Sequence, residues 1–292
     1  MVAMTKGKSA SWTARLARWR LWVQAAFLLA WLDPLMVRLH TVCSPVFHCY
    51  SCPLATFACP IGVLANFSAI HVFPFVALGT LLAVGALLGS LVCGWVCPFG
   101  FVQDLVGRIP TRKYALPGWM GYFRYVTLAA LVLAVPYWLG EDHPLFFCRL
   151  CPAGALEGAL PNMARLAISG QSVVWPSVAK MTILVVIVAA MLFTWRPWCT
   201  LFCPLGAIYS LCNRLSFVFL RFHPERCNDC DLCRKLCRYH GRAQQRSSDM
   251  QCIRCLDCTR CDAMTLTTVV GPSGTSRSQP QPLTIAHDGQ PE

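Results

Sequence analysis

Cys93-Gly-Trp-Val-Cys97-Pro-Phe-Gly100 returns 106 residues later as Cys199-Thr-Leu-Phe-Cys203-Pro-Leu-Gly206, and the match continues through Leu105/Leu211 and Arg108/Arg214. A second pair, Cys49-Tyr-Ser-Cys52-Pro and Cys148-Arg-Leu-Cys151-Pro, repeats at an offset of 99. The chain is therefore an internal duplication. Each half reads as an apolar span, a C-x-x-C-P motif, a second span and a C-x-x-x-C-P motif. Repeated halves of this kind usually pack about a pseudo-two-fold axis, with sites at their interface.

Composition says what surrounds these motifs. The chain of 292 residues is 56% hydrophobic and 13% charged, with a mean hydropathy of +0.51. That profile belongs to a membrane protein rather than a soluble domain. A bilayer core needs about 20 apolar residues per helix, and four segments qualify: 20–39, 69–92, 121–139 and 174–196. Residues 1–20 carry Lys6, Lys8, Arg15, Arg18 and Arg20 and no acid, whereas the loop at 40–68 has no Lys or Arg. Arg108, Arg112 and Lys113 follow the second span, and a basic tail follows the fourth. The positive-inside rule then places both termini in the cytoplasm of a multi-pass protein of the bacterial inner membrane. No small-residue cleavage site follows the first apolar run, so it reads as a retained span. The net charge of +12 sits beside the spans, as attraction to membrane lipid requires, and does not point to nucleic acid.

Nineteen cysteines, most in short-spaced groups, point to metal ligation. With this topology Cys93, Cys97, Cys199 and Cys203 share the inner face, enough for one Cys₄ iron–sulfur cluster. Cys49, Cys52, Cys148 and Cys151 share the outer face. Each set would draw two ligands from each half. The alternative pairs cysteines within one half, with 53–68 and 152–168 as re-entrant helices. The C-x-x-x-C spacing predicts both thiols on one helical face, in line with Gly85 and Gly89. Cys59-Pro60 copies the C-P signature and is a further outer candidate, or a disulfide partner of Cys43. Cys212 falls outside all of these sets.

The tail has a different grammar. Cys227-x-x-Cys230-x-x-Cys233-x-x-x-Cys237 is the bacterial ferredoxin spacing, and Cys252-x-x-Cys255-x-x-Cys258-x-x-Cys261 follows it. In two-cluster ferredoxins the fourth cysteine of each run serves the other cluster. The expected sets are Cys227, Cys230, Cys233 and Cys261, and Cys252, Cys255, Cys258 and Cys237. Arg238 and Asp262 stand where a proline is usual after the fourth cysteine.

Together these motifs resemble the NapH/MauN-type family of membrane 4Fe-4S proteins, related to the membrane half of NosR. The resemblance covers about 20–262 and implies electron transfer between the quinone pool and a periplasmic or membrane redox partner protein. The expected fold is an all-α polytopic membrane protein, four transmembrane helices as two repeats, with a small α+β bacterial-type 2[4Fe-4S] ferredoxin module. Its parts are a basic N-terminus (1–20), the transmembrane domain (20–215), the ferredoxin-like domain (222–265) and a disordered tail (270–292). The chain would be the electron-transfer subunit of a quinol-dependent oxidoreductase, with two 4Fe-4S clusters in the tail and one or two more at the membrane motifs. The competing readings are a redox maturation or regulatory factor for a metalloenzyme, and a non-redox metal-binding membrane protein. His48, His71, Glu141, Asp142 and His143 are candidate proton acceptors on the outer side. Asp33 is an intramembrane acid, and His40 with His71 is a conceivable haem pair. No P-loop or dinucleotide fingerprint is present.

Overall fold

The computed structural model describes residues 12–31, 43–47, 49, 58–114, 116–173, 175–227, 232–239 and 251–269. Cys52, Cys230, Asp33, His40, His48 and the tail from 270 lie outside the described residues. The described chain is mostly helical. α1 spans Trp12–Trp31. The first half then runs through α2 (Pro60–Ala69), α3 (Phe75–Leu88), α4 (Leu91–Trp95) and α5 (Pro98–Val106). The second half follows as a continuous helical run, α6 (118–139), and a short α7 (Phe147–Leu150). It continues with α8 (152–168), α9 (Val178–Phe193), α10 (Pro197–Leu201) and α11 (Pro204–Cys212). A two-stranded antiparallel ribbon, β1 (Val218–Phe222) with β2 (Met264–Thr268), closes the ferredoxin-like segment, Val218 facing Thr268 and Phe222 facing Met264.

Each half breaks its long apolar helix just before the C-x-x-x-C pair. α3 stops at Gly89, whose φ is +57°, and α9 stops short of Arg196, whose φ is +48°. Glycine adopts that backbone without strain. A side chain at Gly89 would also place its Cβ 2.7 Å from an Arg254 nitrogen. A second break, at the extended Cys97 and Cys203 ahead of Pro98 and Pro204, corrects the expectation that both thiols of each pair share one helical face. Cys93 lies in α4 and Cys199 in α10, whereas Cys97 and Cys203 are the N-caps of the next helices, α5 and α11. The chain turns between the two ligands of each pair.

Both π-helical stretches, Thr127–Ala134 in α6 and Gly154–Ala159 in α8, end two residues before a proline, Pro136 and Pro161. Proline has no N–H and its ring crowds the preceding turn, so the helix widens there.

Among the described residues, α6 is the helix long and apolar enough to cross a membrane. α3 and α9 have 14 and 16 residues, about 21 and 24 Å at 1.5 Å per residue. The first expected span begins as α1, and its second part lies outside the described residues. The two segments considered for re-entry contain α2 and α8, which pack against α3, α6 and α9.

Both halves share one core, with Phe47, Ile61, Leu81, Val132, Phe147, Ile187, Met191, Trp198 and Tyr209 all buried. Gly85 of the small-residue stripe lets α11 approach: its Cβ would stand 2.7 Å from the Cys212 sulfur. Cys212 thus packs between the halves.

Candidate metal centre

The sequence Cys-Pro-x-Gly occurs four times, at Cys59, Cys97, Cys151 and Cys203. At all four the cysteine precedes a helix in nearly the same extended conformation, with φ between −68° and −70° and ψ between 113° and 122°. The proline takes the first helical position, where its missing N–H costs nothing. The glycine N–H then donates to the sulfur, at 3.4 Å for Gly100 to Cys97, Gly154 to Cys151 and Gly206 to Cys203. The glycines are needed for space as well. A Cβ at Gly100 would lie 3.1 Å from the Cys93 carbonyl oxygen, and one at Gly206 3.1 Å from that of Cys199. One local device therefore presents a thiol at a helix N-terminus, where the helix dipole favours negative charge.

The duplication brings Cys93, Cys97, Cys199 and Cys203 around one enclosed cavity, two from each half. Ser90, Phe47, Phe99 and Arg124 complete its wall, and Cys252 and Ile253 of the ferredoxin-like segment close it from below. Gln103 donates from Nε2 to the Cys199 sulfur at 3.0 Å and accepts from the Trp198 N–H at 3.2 Å. Arg196 donates to the Cys93 carbonyl at 2.6 Å. Arg124 and Arg196 are both within electrostatic reach of the Cys93 thiol. Four thiols, three of them buried and Cys199 half-buried, with two guanidiniums beside them fit a Cys₄-ligated cubane, whose net charge is negative.

In the tail, Cys237, Cys252, Cys255 and Cys258 line a second cavity together with Tyr239 and Leu220. The spacing assigns the same four cysteines to one cluster. Of the other tail set, Cys227, Cys233 and Cys261 are described, and the helix Leu232–Lys235 packs on the turn Asp257–Arg260 that leads into Cys261. The tail docks on the halves through backbone. The Cys252 carbonyl accepts from Ser90 at 2.5 Å and from Asn213 at 3.0 Å, and the Arg254 carbonyl from Trp95 at 3.1 Å.

The remaining thiols gather elsewhere. Cys49, Cys59, Cys148 and Cys151 line a cavity of about 440 Å³ at the other end of the halves. Cys43 bridges through its backbone to Ala58, and both Cys43 and Cys59 are free thiols. Among the described residues the candidate proton acceptors lie apart. His71 meets Tyr137 edge-on with ring centroids 4.4 Å apart, while Glu141 and Asp142 border a cleft that Cys148 also lines.

The family described as a 4Fe-4S binding domain matches residues 70–117 and 178–223, one segment in each half, each containing one C-x-x-x-C-P pair. MauN of Methylobacillus flagellatus, a methylamine utilization ferredoxin-type protein, is 30% identical over 56% of this chain and 60% of its own length. The regulatory protein NosR of Pseudomonas aeruginosa is 29% identical over 58% of this chain and 23% of its own. The chain is thus similar to the MauN ferredoxin-type proteins and to NosR. YccM of Escherichia coli, named as an electron transport protein, is 22% identical over 60% of this chain and 48% of its own length. The matches thus cover between 23% and 60% of these three relatives. No solved structure matches the chain. The chain itself carries the 4Fe-4S binding domain, and its relatives are named as ferredoxin-type, regulatory and electron transport proteins.

Sequence reasoning missed Gln103, Asp104, Arg124 and Arg196. Two arginines inside or beside apolar spans were a legible signal, because such charges are costly unless they serve a site.

Proposed function

We propose that this chain is a membrane-embedded electron-transfer subunit, with iron–sulfur clusters at Cys93/Cys97/Cys199/Cys203 and at the two tail sets. When bound, each cluster supplies a one-electron couple. One observation carries the reading: Cys252 and Ile253 line both the tail cavity and the cavity of the duplicated halves. A tail ligand is therefore also a wall of the inner site. Ser90 and Asn213 hold the Cys252 carbonyl, so the two sites keep a fixed separation. Burial by Phe47, Phe99 and Leu205 excludes water from the inner thiols.

The membrane setting is supported by what the helices leave uncovered. α3 is apolar all round, yet only Ala77, Leu81 and Gly85 are buried. α9 likewise buries only Leu184, Ile187 and Met191. Phe75, Val76, Leu82, Val185 and Val186 face outward, a surface that suits acyl chains rather than water. The basic end of α1 meets the tail through an Arg20–Asp257 ion pair of 3.6 Å, which supports a common side for both. In this reading the electrons are exchanged with quinol on one side and with a redox partner protein on the other.

The test is redox titration of the full chain in lipid, followed by paramagnetic resonance. Several low-potential signals, with one perturbed by a quinol analogue, are the expected result. Signals that never respond to quinol would remove the quinone role. Loss of no signal in Cys97→Ser would remove the inner cluster.

A further inference from the structure

We propose that Cys49, Cys59, Cys148 and Cys151 hold an additional [4Fe–4S] cluster, with Cys59 as the fourth ligand. All four lie outside the two segments matched by the 4Fe-4S family. They line one cavity with Phe47, Phe147 and Lys180. The halves interlock there. A Cβ on Gly62 of the first half would lie 3.7 Å from the Cys148 sulfur of the second. One on Gly154 of the second would lie 3.5 Å from the Cys49 sulfur of the first. Cys49, Cys59 and Cys148 all stand within electrostatic reach of Cys151.

Two features show a ligand geometry rather than incidental packing. Cys59 and Cys151 repeat the N-cap conformation of Cys97 and Cys203, and at Cys151 the Gly154 N–H donates to the sulfur at 3.4 Å. The site also carries its own charge compensation. The Lys180 ammonium lies 3.3 Å from the Cβ position of Gly154, against the same thiols. Glu157 fixes the Cys49 loop by accepting from its N–H at 3.1 Å. Buried thiolates need such a cation, because a low-dielectric interior penalises isolated charge.

The outer and inner cavities share a wall. Phe47 lines both. Its ring centroid lies 6.2 Å from Phe99, 6.3 Å from Phe147 and 6.4 Å from Trp198, and all four rings are buried. The exchange across this wall is a single electron. Oxidation of one site is balanced by reduction of the other, with no bond broken and no proton moved. The role in transfer rests on the reading proposed above, but the cofactor content does not.

The experiment is anaerobic iron and acid-labile sulfide per chain on the full chain, with resonance spectra. Wild type should hold about sixteen irons, four per Cys₄ cubane. Cys59→Ser and Cys151→Ser should each lose about four, and Cys52→Ser none. Lys180→Met should keep its iron and move one signal to lower potential. About twelve irons in wild type would overturn the proposal even if the variants fail to fold, as would loss of iron in Cys52→Ser but not in Cys59→Ser. If Cys97→Ser loses iron while the outer variants do not, the outer site fails and the electron-transfer reading stands. If neither loses any, both fail.

Discussion

Asp104 and Arg196 form a buried bidentate pair, Nε to Oδ1 at 2.8 Å and an η nitrogen to Oδ2 at 2.5 Å, that ties α5 of the first half to the αL break of the second. Arg20 of α1 donates to the same carboxylate, and Tyr239 of the tail reaches it at 3.3 Å. One carboxylate therefore joins four parts of the chain directly beneath the inner thiols. Removing one partner of a buried pair leaves an uncompensated charge, which costs about 3–5 kcal/mol. Asp104→Asn should lower the melting temperature of the detergent-solubilised chain. Arg196→Met should do so too and also loosen the Cys93 carbonyl.

The same pair sets an acid limit. Burial alone would raise Asp104, but the Arg196 and Arg20 guanidiniums hold it well below the usual carboxylate range. A carboxylate depressed in the fold contributes stability that is complete above its unfolded value, near 4, and is lost as pH falls toward the folded value. The stability difference between wild type and Asp104→Asn should be flat from about pH 5 to 8 and shrink below about pH 4. A difference that stays constant down to about pH 3 would show that Asp104 is not ionised as drawn.

Gly100→Ala and Gly206→Ala should lose inner-site iron, because the new Cβ would crowd the Cys93 or Cys199 carbonyl at 3.1 Å. Gly79→Ala is the control: nothing lies within 4 Å of its Cβ position. Within α3 the control should be neutral or gain up to about 1 kcal/mol. Iron content and thermal melting of the three variants, measured side by side, decide this.

Gln103→Leu removes the N–H that faces the Cys199 sulfur at 3.0 Å. Hydrogen bonds to ligand sulfurs raise a cluster's potential. The variant should retain its iron and titrate at a lower potential; an unchanged potential would argue against a cluster on Cys199.

Arg254 is buried and donates to the carbonyls of Leu88, Val218 and Asn213. Arg254→Met would take the guanidinium from all three carbonyls; those of Asn213 and Val218 keep the Ser216 hydroxyl as a donor, so the loss is about 1–3 kcal/mol in total. The tail should become accessible to protease while keeping its cysteine-bound iron. Electron exchange between tail and inner signals should slow in parallel.

The sequence by itself showed the duplication, and its spacing pointed to the grouping of Cys93, Cys97, Cys199 and Cys203 and to that of Cys237 with Cys252, Cys255 and Cys258, sets that line two cavities of the fold. Those follow from spacing, because a short loop can offer its thiols to only a few positions. The tertiary structure decided what spacing cannot carry. Cys59 joins the outer set although ten residues separate it from Cys49, because the first turn of α2 returns it to the same cavity as Cys151. Each C-x-x-x-C pair straddles a helix break instead of lining one face, because Cys97 and Cys203 are extended N-caps ahead of Pro98 and Pro204. The Phe47 wall between the two cavities, and the Asp104 hub below them, join residues from opposite ends of the duplication. Only packing of the halves against each other brings such groups together, and nothing local in the chain records it.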